Sequence, residues 1–197
     1  MGRRVGVMGG TFDPIHYGHL VTAEEAVMQF GLEEVVFVPT GLPWMKADRA
    51  VSPPEDRYLM TVVATASNPR FSVSRAEIDR AGPTYTVDTL RQFADEHPDA
   101  ELYFITGADA MLEIFDWKDP EDVLGLAHLI AATRPGYDLR RFEAAAPTHH
   151  PKVSTMDIPA LAISSSDIRA RVREGRAIRY LLPEGVKSYI EKQGLYR

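Results

Sequence analysis

Two histidines near the amino terminus carry the clearest chemistry in this sequence. His16 and His19 stand three positions apart with Gly18 between them, directly before apolar residues at helical spacing. Side chains three apart share one face of a helix, so both imidazoles can point at one ligand group if the first turn includes them. A helix start also offers free N–H groups and a partial positive charge, which favour an anion. The pattern therefore predicts a phosphate site.

The residues before the histidines fit the same chemistry. Gly9, Gly10 and Thr11 follow a short apolar run at residues 5–8 and precede the turn former Asp13. We expect a strand, a tight glycine turn and a loop that delivers the histidines to the helix start. Glycines at such a turn let phosphates approach the backbone, because no Cβ stands in the way.

Three other interpretations of this stretch are weaker. A dinucleotide fingerprint needs G-x-G-x-x-G, and Gly6, Gly9 and Gly10 do not have that spacing. A zinc site needs three or four ligands, and His16 and His19 have no cysteine or obvious third ligand nearby. Two ordinary histidines at a helix start would explain the pair, but not the adjoining Gly-Gly and Thr.

A second candidate phosphate site lies towards the other end of the chain. Ser164, Ser165 and Ser166 precede a predicted helix, with Arg169 near its start. Serine hydroxyls, open N–H groups and a guanidinium together suit a phosphate, although a serine N-cap alone is common. Arg134, after a predicted strand, can donate two hydrogen bonds to phosphate or can be a solvated turn residue.

Two further groups lie at predicted helix starts. The N–H groups of Thr84, Tyr85 and Thr86 follow a Gly-Pro turn and can hold a carboxylate, unless a threonine simply caps the helix. Gly107 and Asp109 follow a predicted strand, where the carboxylate can accept ribose hydroxyls or cap a helix.

Two tryptophans are each followed closely by a lysine. Trp117 precedes Lys118 on a predicted loop, where the indole can stack on a planar ring or fill the edge of the core. Trp44 and Lys46 lie in a loop at residues 40–51. They can cover a charged ligand, but packing is the better interpretation of Trp44.

The apolar pattern predicts alternating strands and helices, hence an α/β, Rossmann-like, doubly wound parallel sheet in a single domain, residues 1–197. Ligands bind such sheets beyond the carboxyl ends of the strands, where these candidate residues cluster. The predicted strands are 3–8, 34–38, 71–74, 101–106, 128–133 and 152–158. The predicted helices are 18–30, 52–66, one from about 86, 167–174 and 182–195. The helix at 52–66 has Ser52 as its expected N-cap and an expected apolar face of Tyr58, Leu59, Val62, Val63 and Ala66.

Composition narrows the class of protein. The chain has 197 residues, a net charge of −6 and no cysteine. It is long enough for one sizeable core, and nothing in its charge suggests a nucleic-acid partner. Neither a signal peptide nor a membrane span is apparent, so we expect a cytoplasmic protein without a membrane partner. A homo-oligomer is compatible with the sequence.

The segment GGTFDPIHYGH resembles the signature of nucleotidyltransferases with an HxGH-type motif, and more closely that of bacterial nicotinate-nucleotide adenylyltransferases. The segment ISSSDIR, beginning at Ile163, resembles that family's ISSTxIR motif. The blocks around Thr84, Asp109 and Trp117 match as well, so the resemblance covers essentially the whole chain. One departure is Met45, where the family usually has a histidine beside its lysine.

The resemblance implies that ATP and nicotinate mononucleotide give nicotinate adenine dinucleotide and pyrophosphate, with Mg²⁺ carried by ATP and pyrophosphate and no metal ligands in the protein. The implied catalytic residues are His16, His19 and Arg169. The implied ATP and phosphate contacts are Gly9, Gly10, Thr11, Phe12, Gly107, Asp109, Arg134, Ile163, Ser164 and Ser165. The implied contacts to nicotinate mononucleotide are Lys46, Thr84, Tyr85, Thr86, Trp117 and Lys118.

Several alternatives stay open at this point. Within the superfamily, the acceptor can be nicotinamide mononucleotide, phosphopantetheine or FMN, or the transferred group can be cytidylyl. A nucleotide-binding regulator without catalysis is a second class, although both phosphate motifs are intact. A metal-dependent hydrolase that uses His16 and His19 is a third.

Overall fold

Strands and helices alternate along the chain, as the sequence predicts. A computed structural model describes residues 2–43, 51–133, 150–159 and 161–197. The strands are β1 (Arg3–Gly10), β2 (Glu34–Pro39), β3 (Leu42–Pro43), β4 (Phe71–Val73), β5 (Pro83–Thr84), β6 (Ala100–Gly107), β7 (Ala127–Thr133) and β8 (Val153–Asp157). The helices are α1 (Tyr17–Phe30), α2 (Pro54–Thr65), α3 (Thr86–Glu96), α4 (Ala108–Met111), α5 (Pro120–Leu126), α6 (Ser165–Arg173) and α7 (Glu184–Gln193), with a short 3-10 helix at Ile114–Asp116.

Six of the strands form one parallel sheet in the order β4-β2-β1-β6-β7-β8. The chain fills one side of β1 with β2 and β4, and then returns to fill the other side with β6, β7 and β8. The strand order therefore reverses between β1 and β6, and a crevice opens beyond the carboxyl ends of these two strands. A separate two-stranded ladder joins β3 to β5.

Apolar side chains project from both faces of the sheet, because successive residues of a strand point in opposite directions. Met8 belongs to a core cluster that includes residues of α1, α2, α6 and α7. Val5 and Val7 belong to a second cluster with residues of α3, α4 and α5. Helices therefore cover both faces, which confirms the predicted doubly wound α/β fold.

The end of β1 differs from the prediction. We expected Gly9 and Gly10 to form a turn, but both lie in the strand and pair in register with Val38 and Pro39 of β2. The ladder to β2 extends the strand by these two residues, so the turn begins at Thr11. The predicted start of α1, and its end at Gly31, are confirmed within one residue.

Helix α2 shows a larger error. Its N-cap is Pro53 rather than Ser52. The side chains of Leu59 and Val63, which we expected to be buried, are 39% and 42% exposed. The buried face instead consists of Arg57, Met60, Thr61, Ala64 and Thr65.

Hydrogen bonding explains why polar residues of α2, rather than the predicted apolar ones, are buried in the core. The Thr61 and Thr65 hydroxyls donate to the carbonyls of Arg57 and Thr61, one helical turn earlier, at 2.7 and 2.9 Å. Their polar groups are thus satisfied within the helix, and the methyl groups pack like those of valine. The Arg57 guanidinium likewise has three backbone acceptors, described below.

Candidate active site

Two clefts open at the carboxyl ends of β1 and β6, one on each side of the β1 end. The first cleft has a volume of about 390 Å³ and the second of about 560 Å³. Thr11, the residue after β1, lines both. Of the predicted site residues, the first cleft is lined by Thr11, Phe12, His16, His19, Gly107, Ile163, Ser164, Ser165 and Arg169. The second is lined by Gly9, Gly10, Thr11, Thr84, Tyr85, Thr86, Trp117 and Lys118.

The two histidines lie together at the start of α1. His16 is the N-cap and is only 5% exposed. Its backbone N–H donates to Nδ1 of His19 at 3.2 Å, and the two rings stack with centroids 3.8 Å apart. Because Nδ1 of His19 accepts this bond, the neutral ring carries its proton on Nε2. His19 therefore offers an N–H donor at the far side of its ring, which suits a phosphate oxygen.

Close packing explains the glycine between the histidines. A Cβ at Gly18 would lie 3.0 Å from two atoms of the His16 ring, which is tighter than ordinary contact. The ring of Phe12 meets the His19 ring edge-on, with centroids 5.1 Å apart. Phe12 itself has a left-handed φ of 48°, a conformation that is uncommon outside glycine. Phe12 thus packs against the His19 ring, and the missing Cβ at Gly18 leaves room for the His16 ring.

A buried carboxylate joins the two phosphate motifs. Arg169 donates from Nη1 to the backbone carbonyl of Asp13 at 2.6 Å, and the same Nη1 lies 3.9 Å from Oδ2 of Asp13. The hydroxyl of Tyr196 donates to Oδ1 of Asp13 at 2.6 Å, and the N–H of Ser52 donates to Oδ2 at 3.4 Å. Burial, together with the bond to Asp13, raises the pKa of Tyr196 well above its usual value.

The triple serine begins helix α6 beside the loop of the first motif. Ser164 is the N-cap, and its hydroxyl accepts the N–H of Asp167 at 3.1 Å. The Ser165 hydroxyl donates to the carbonyl of Pro14 at 2.9 Å. Two segments about 150 positions apart thus meet through this bond and the Arg169 bond to Asp13. Their helix starts place N–H groups and the Arg169 cation at one cleft, which favours a polyphosphate.

The second cleft combines a helix start with aromatic rings. Helix α3 begins at Thr86, and its N-cap is Tyr85 rather than a threonine, which rules out the simple threonine-cap interpretation. The ring of Trp117 meets that of Phe104 edge-on at 5.9 Å. Lys118 binds Asp88 at 3.0 Å and lies 4.7 Å from the centre of the Tyr85 ring. The tryptophan loop is therefore attached to the first turn of α3.

Some predicted residues are not placed in either cleft. Lys46 and Arg134, like Trp44 and Met45, lie outside the described residues. Asp109 is exposed in the first turn of α4, whose N-cap is Gly107, and it is absent from the lining of both clefts.

Sequence reasoning missed three buried charged residues around the clefts. The sequence indicates only a turn former at Asp13, the predicted apolar face of α2 does not include Arg57, and Glu77 has no predicted role. Asp13 lines the first cleft and Glu77 lines the second. The sequence of α2 contains no signal that Arg57 is buried, because its apolar residues indicate a different buried face.

The described part of the chain has neither a metal-binding cluster nor a membrane-spanning helix. Across residues 2–43, 51–133, 150–159 and 161–197, no group of three or more His, Cys, Asp or Glu residues is placed to hold a metal ion. In the same ranges, no helix is both long and apolar enough to cross a membrane.

Comparison with known proteins assigns the family. The model of the cytidylyltransferase-like family matches residues 7–171. A probable nicotinate-nucleotide adenylyltransferase of Saccharopolyspora erythraea is 61% identical over 197 residues, covering 99% of this chain and 90% of that protein. One of Streptomyces coelicolor is also 61% identical, covering 96% of this chain and 99% of that protein. The chain belongs to the nicotinate-nucleotide adenylyltransferase family.

Solved structures agree with the fold. Plasmodium falciparum nicotinic acid mononucleotide adenylyltransferase, complexed with NaAD, superimposes on this chain with a TM-score of 0.80. The two chains are 22% identical, and the match covers 98% of this chain and 97% of the other. At 22% identity, the similarity supports only the fold of this chain. The bound NaAD belongs to the Plasmodium protein.

Proposed function

We infer that this protein is an adenylyltransferase of NAD biosynthesis, which joins ATP and nicotinate mononucleotide to form nicotinate adenine dinucleotide and pyrophosphate. The observation that carries the inference is the pair of clefts that meet at Thr11. One cleft is lined by both phosphate motifs, and the other by a helix start and an aromatic ring. Two anionic substrates can thus be held side by side with their reacting phosphates near Thr11.

The chemistry requires no protein nucleophile. A phosphate oxygen of nicotinate mononucleotide attacks the α-phosphorus of ATP, a new P–O bond forms, and the bond to the β-phosphate oxygen breaks to release pyrophosphate. The protein must bring two anions into line and offset the charge that develops between them. Neutral N–H donors, helix starts and cations meet that requirement, and the first cleft contains all three.

For the first cleft, we propose that His19 contacts the α-phosphate through Nε2 and that His16 and Thr11 help to place the phosphates. Arg169 and Ser165 would hold the β- and γ-phosphates, with Ser164 at the same helix start. Arg169 already has backbone and carboxylate partners at Asp13, so its guanidinium is held in place before a phosphate binds. Such preorganisation lowers the cost of binding the leaving group.

The nucleoside part of ATP would occupy the remaining lining of the first cleft. The proposed contacts there are Phe12, Gly107 and Ile163. Asp109, which is exposed in the first turn of α4 outside the cleft lining, is proposed to approach the ribose. Arg134 is proposed to meet phosphate, as the sequence predicts.

For the second cleft, we propose that the N–H groups of Thr84, Tyr85 and Thr86 hold the nicotinate carboxylate. A helix start with N–H groups and a partial positive charge suits an acid better than an amide. Trp117 would stack on the pyridine ring, and its edge contact with Phe104 fixes the indole plane. Lys118 would stabilise this loop through Asp88, and Lys46 is proposed to approach the acceptor phosphate.

Mg²⁺ is proposed to enter with the triphosphate of ATP. The described residues provide no cluster of metal ligands, and the Asp13 carboxylate is already engaged with Tyr196 and Ser52. When bound, the ion would offset phosphate charge. We also propose that residues 1–197 act as one nucleotidyltransferase domain in the cytoplasm. The sequence remains compatible with a homo-oligomer.

The test is pyrophosphate release from Mg·ATP with nicotinate mononucleotide, run beside nicotinamide mononucleotide and phosphopantetheine. We expect release with the nicotinate compound and much less with the other two. Release mainly with another acceptor would retain the adenylyl transfer and overturn the assignment of Trp117 and the α3 start. ATP binding without release for any acceptor would indicate a regulator, and hydrolysis of one nucleotide alone would indicate a hydrolase.

A further inference from the structure

Arg57 is a fully buried cation that binds the backbone of three different segments around the clefts. Its side chain is 1% exposed. Nε donates to the carbonyl of Ser52 at 2.9 Å, Nη1 to that of Thr11 at 2.9 Å, and Nη2 to that of Gly41 at 3.0 Å. Thr11 lines both clefts, so the guanidinium connects the junction of the clefts to the loop that follows β2.

Glu77 is a buried anion on the side of the second cleft. It is 7% exposed and lines that cleft. Its Oε1 accepts the hydroxyl of Thr89 in α3 at 2.7 Å, and Arg80 donates to the same hydroxyl at 3.0 Å. Burial raises the pKa of the Glu77 carboxyl, while hydrogen bonds from Thr89 and Thr84 act in the opposite direction. Glu77 thus connects its own segment to α3, whose start is the proposed binding site for the nicotinate carboxylate.

Gly41 lies between these two residues. Its carbonyl accepts from Arg57, and a Cβ added to Gly41 would lie only 2.1 Å from the backbone oxygen of Glu77. The same Cβ would approach the Thr84 methyl carbon to 3.3 Å. The φ of Gly41 is not in the left-handed region, so glycine is needed here for space rather than for backbone conformation.

The strand after Gly41 extends this connection into the second cleft. Leu42 of β3 pairs with Pro83 of β5, and the β3 carbonyl of Leu42 accepts the Thr84 hydroxyl at 3.3 Å. The peptide of Gly41 therefore stands between Thr11, at the junction of the clefts, and Thr84, at the proposed carboxylate site.

We propose that Gly41, held between Arg57 and Glu77, is a positioning element that sets the spacing of the two clefts and so aligns the acceptor phosphate with the α-phosphorus of ATP. The proposal rests on the adenylyl transfer proposed above. None of the three residues needs to touch a reacting atom. In-line attack depends on the separation of the two substrates, and a misplacement of about 1 Å can cost roughly 100-fold in rate.

The sharpest variant is Gly41→Ala, because the added methyl group must push the Gly41 and Glu77 backbones apart. Gly125→Ala in α5 is the matched control, since a Cβ there meets nothing within 4 Å and its φ is also outside the left-handed region. Turnover, thermal unfolding, and the binding of nicotinate mononucleotide and of a non-reactive α,β-methylene ATP would be measured separately.

We expect Gly41→Ala to bind each substrate alone within about threefold of wild type, while kcat with both falls by roughly tenfold or more. Gly125→Ala should match wild type in every measurement. A folded Gly41→Ala enzyme with kcat within about twofold of wild type would overturn the proposal. A loss of turnover in folded Gly41→Ala protein that is explained by weaker binding of one substrate would also overturn it.

Arg57→Lys and Glu77→Gln provide the second measurement, which decides the matter if Gly41→Ala does not fold. Lysine keeps the positive charge that interacts electrostatically with Asp13 but cannot reach three carbonyls that lie in different directions. Both variants should lower kcat more than they weaken the binding of either substrate. Because both act through Gly41, their effects on log kcat should be less than additive in the double variant. Additive effects, or normal kcat in both, would refute the positioning role, whereas wild-type protein without pyrophosphate release would refute the proposed function itself.

Discussion

Replacing His19 by asparagine or by alanine separates two functions of this side chain at the start of α1. Nδ1 accepts the N–H of His16, which caps the helix, and Nε2 is the proposed phosphate donor. The Oδ1 of asparagine can take the place of Nδ1, but asparagine has no atom at the position of Nε2. Alanine removes both groups. Each variant also loses the ring stacking on His16, so the comparison between them isolates the cap.

The expected magnitudes follow from these contacts. Removing one donor to the charge that develops in the transition state costs roughly 100- to 1,000-fold in kcat, or about 3–4 kcal/mol. We expect that loss in both variants. A helix cap contributes about 1 kcal/mol, so His19→Ala should be less stable than His19→Asn by that amount. For a chain of this size, the difference corresponds to a melting temperature lower by roughly 2–4 °C.

The assay combines steady-state pyrophosphate release with thermal unfolding of both variants and wild type at one pH. Saturating concentrations of both substrates isolate kcat from binding. A near-normal kcat in His19→Asn would show that Nε2 has no part in the transfer. Equal melting temperatures for the two variants would show that the bond from His16 to His19 does not cap the helix.

Three further predictions concern residues that the structure places around the clefts and the core. Trp117→Leu should weaken binding of nicotinate mononucleotide by roughly 1–3 kcal/mol through lost stacking and leave the KM for ATP within about twofold; an unchanged acceptor KM would contradict the stacking role. Tyr196→Phe removes the 2.6 Å donor to buried Asp13 and should lower the free energy of unfolding in urea by roughly 1.5–3 kcal/mol; a change below about 0.5 kcal/mol would contradict this. His128 has its pKa lowered by burial and by nearby Lys152, so the unfolded chain takes up this proton first, and stability should decrease as pH falls from about 6.5 through the lower folded pKa. In His128→Gln, the free energy of unfolding should decrease less steeply as the pH falls below about 6.5. An unchanged slope would show that other groups cause the decrease.

Features that depend on short segments can be predicted from the sequence alone. His16 and His19 had to lie together because helical spacing places residues three apart on one face, and the structure stacks their rings. The apolar runs predicted the six strands of the parallel sheet. Because ligands bind beyond the carboxyl ends of parallel strands, the candidate residues that follow those strands were expected at one edge of the sheet.

Which charged side chains are buried depends on contacts between segments that are distant in the sequence. Arg57 is not part of the apolar face that the sequence predicts for α2, yet it lies in the interior because carbonyls 5, 16 and 46 positions away converge on its guanidinium. Asp13 and Tyr196 bind each other across 183 positions. Local periodicity reports the apolar character of neighbours along one helix, and it contains no information about distant backbone oxygens. A buried charge is stable only when such partners are present, so its position is a property of the assembled fold.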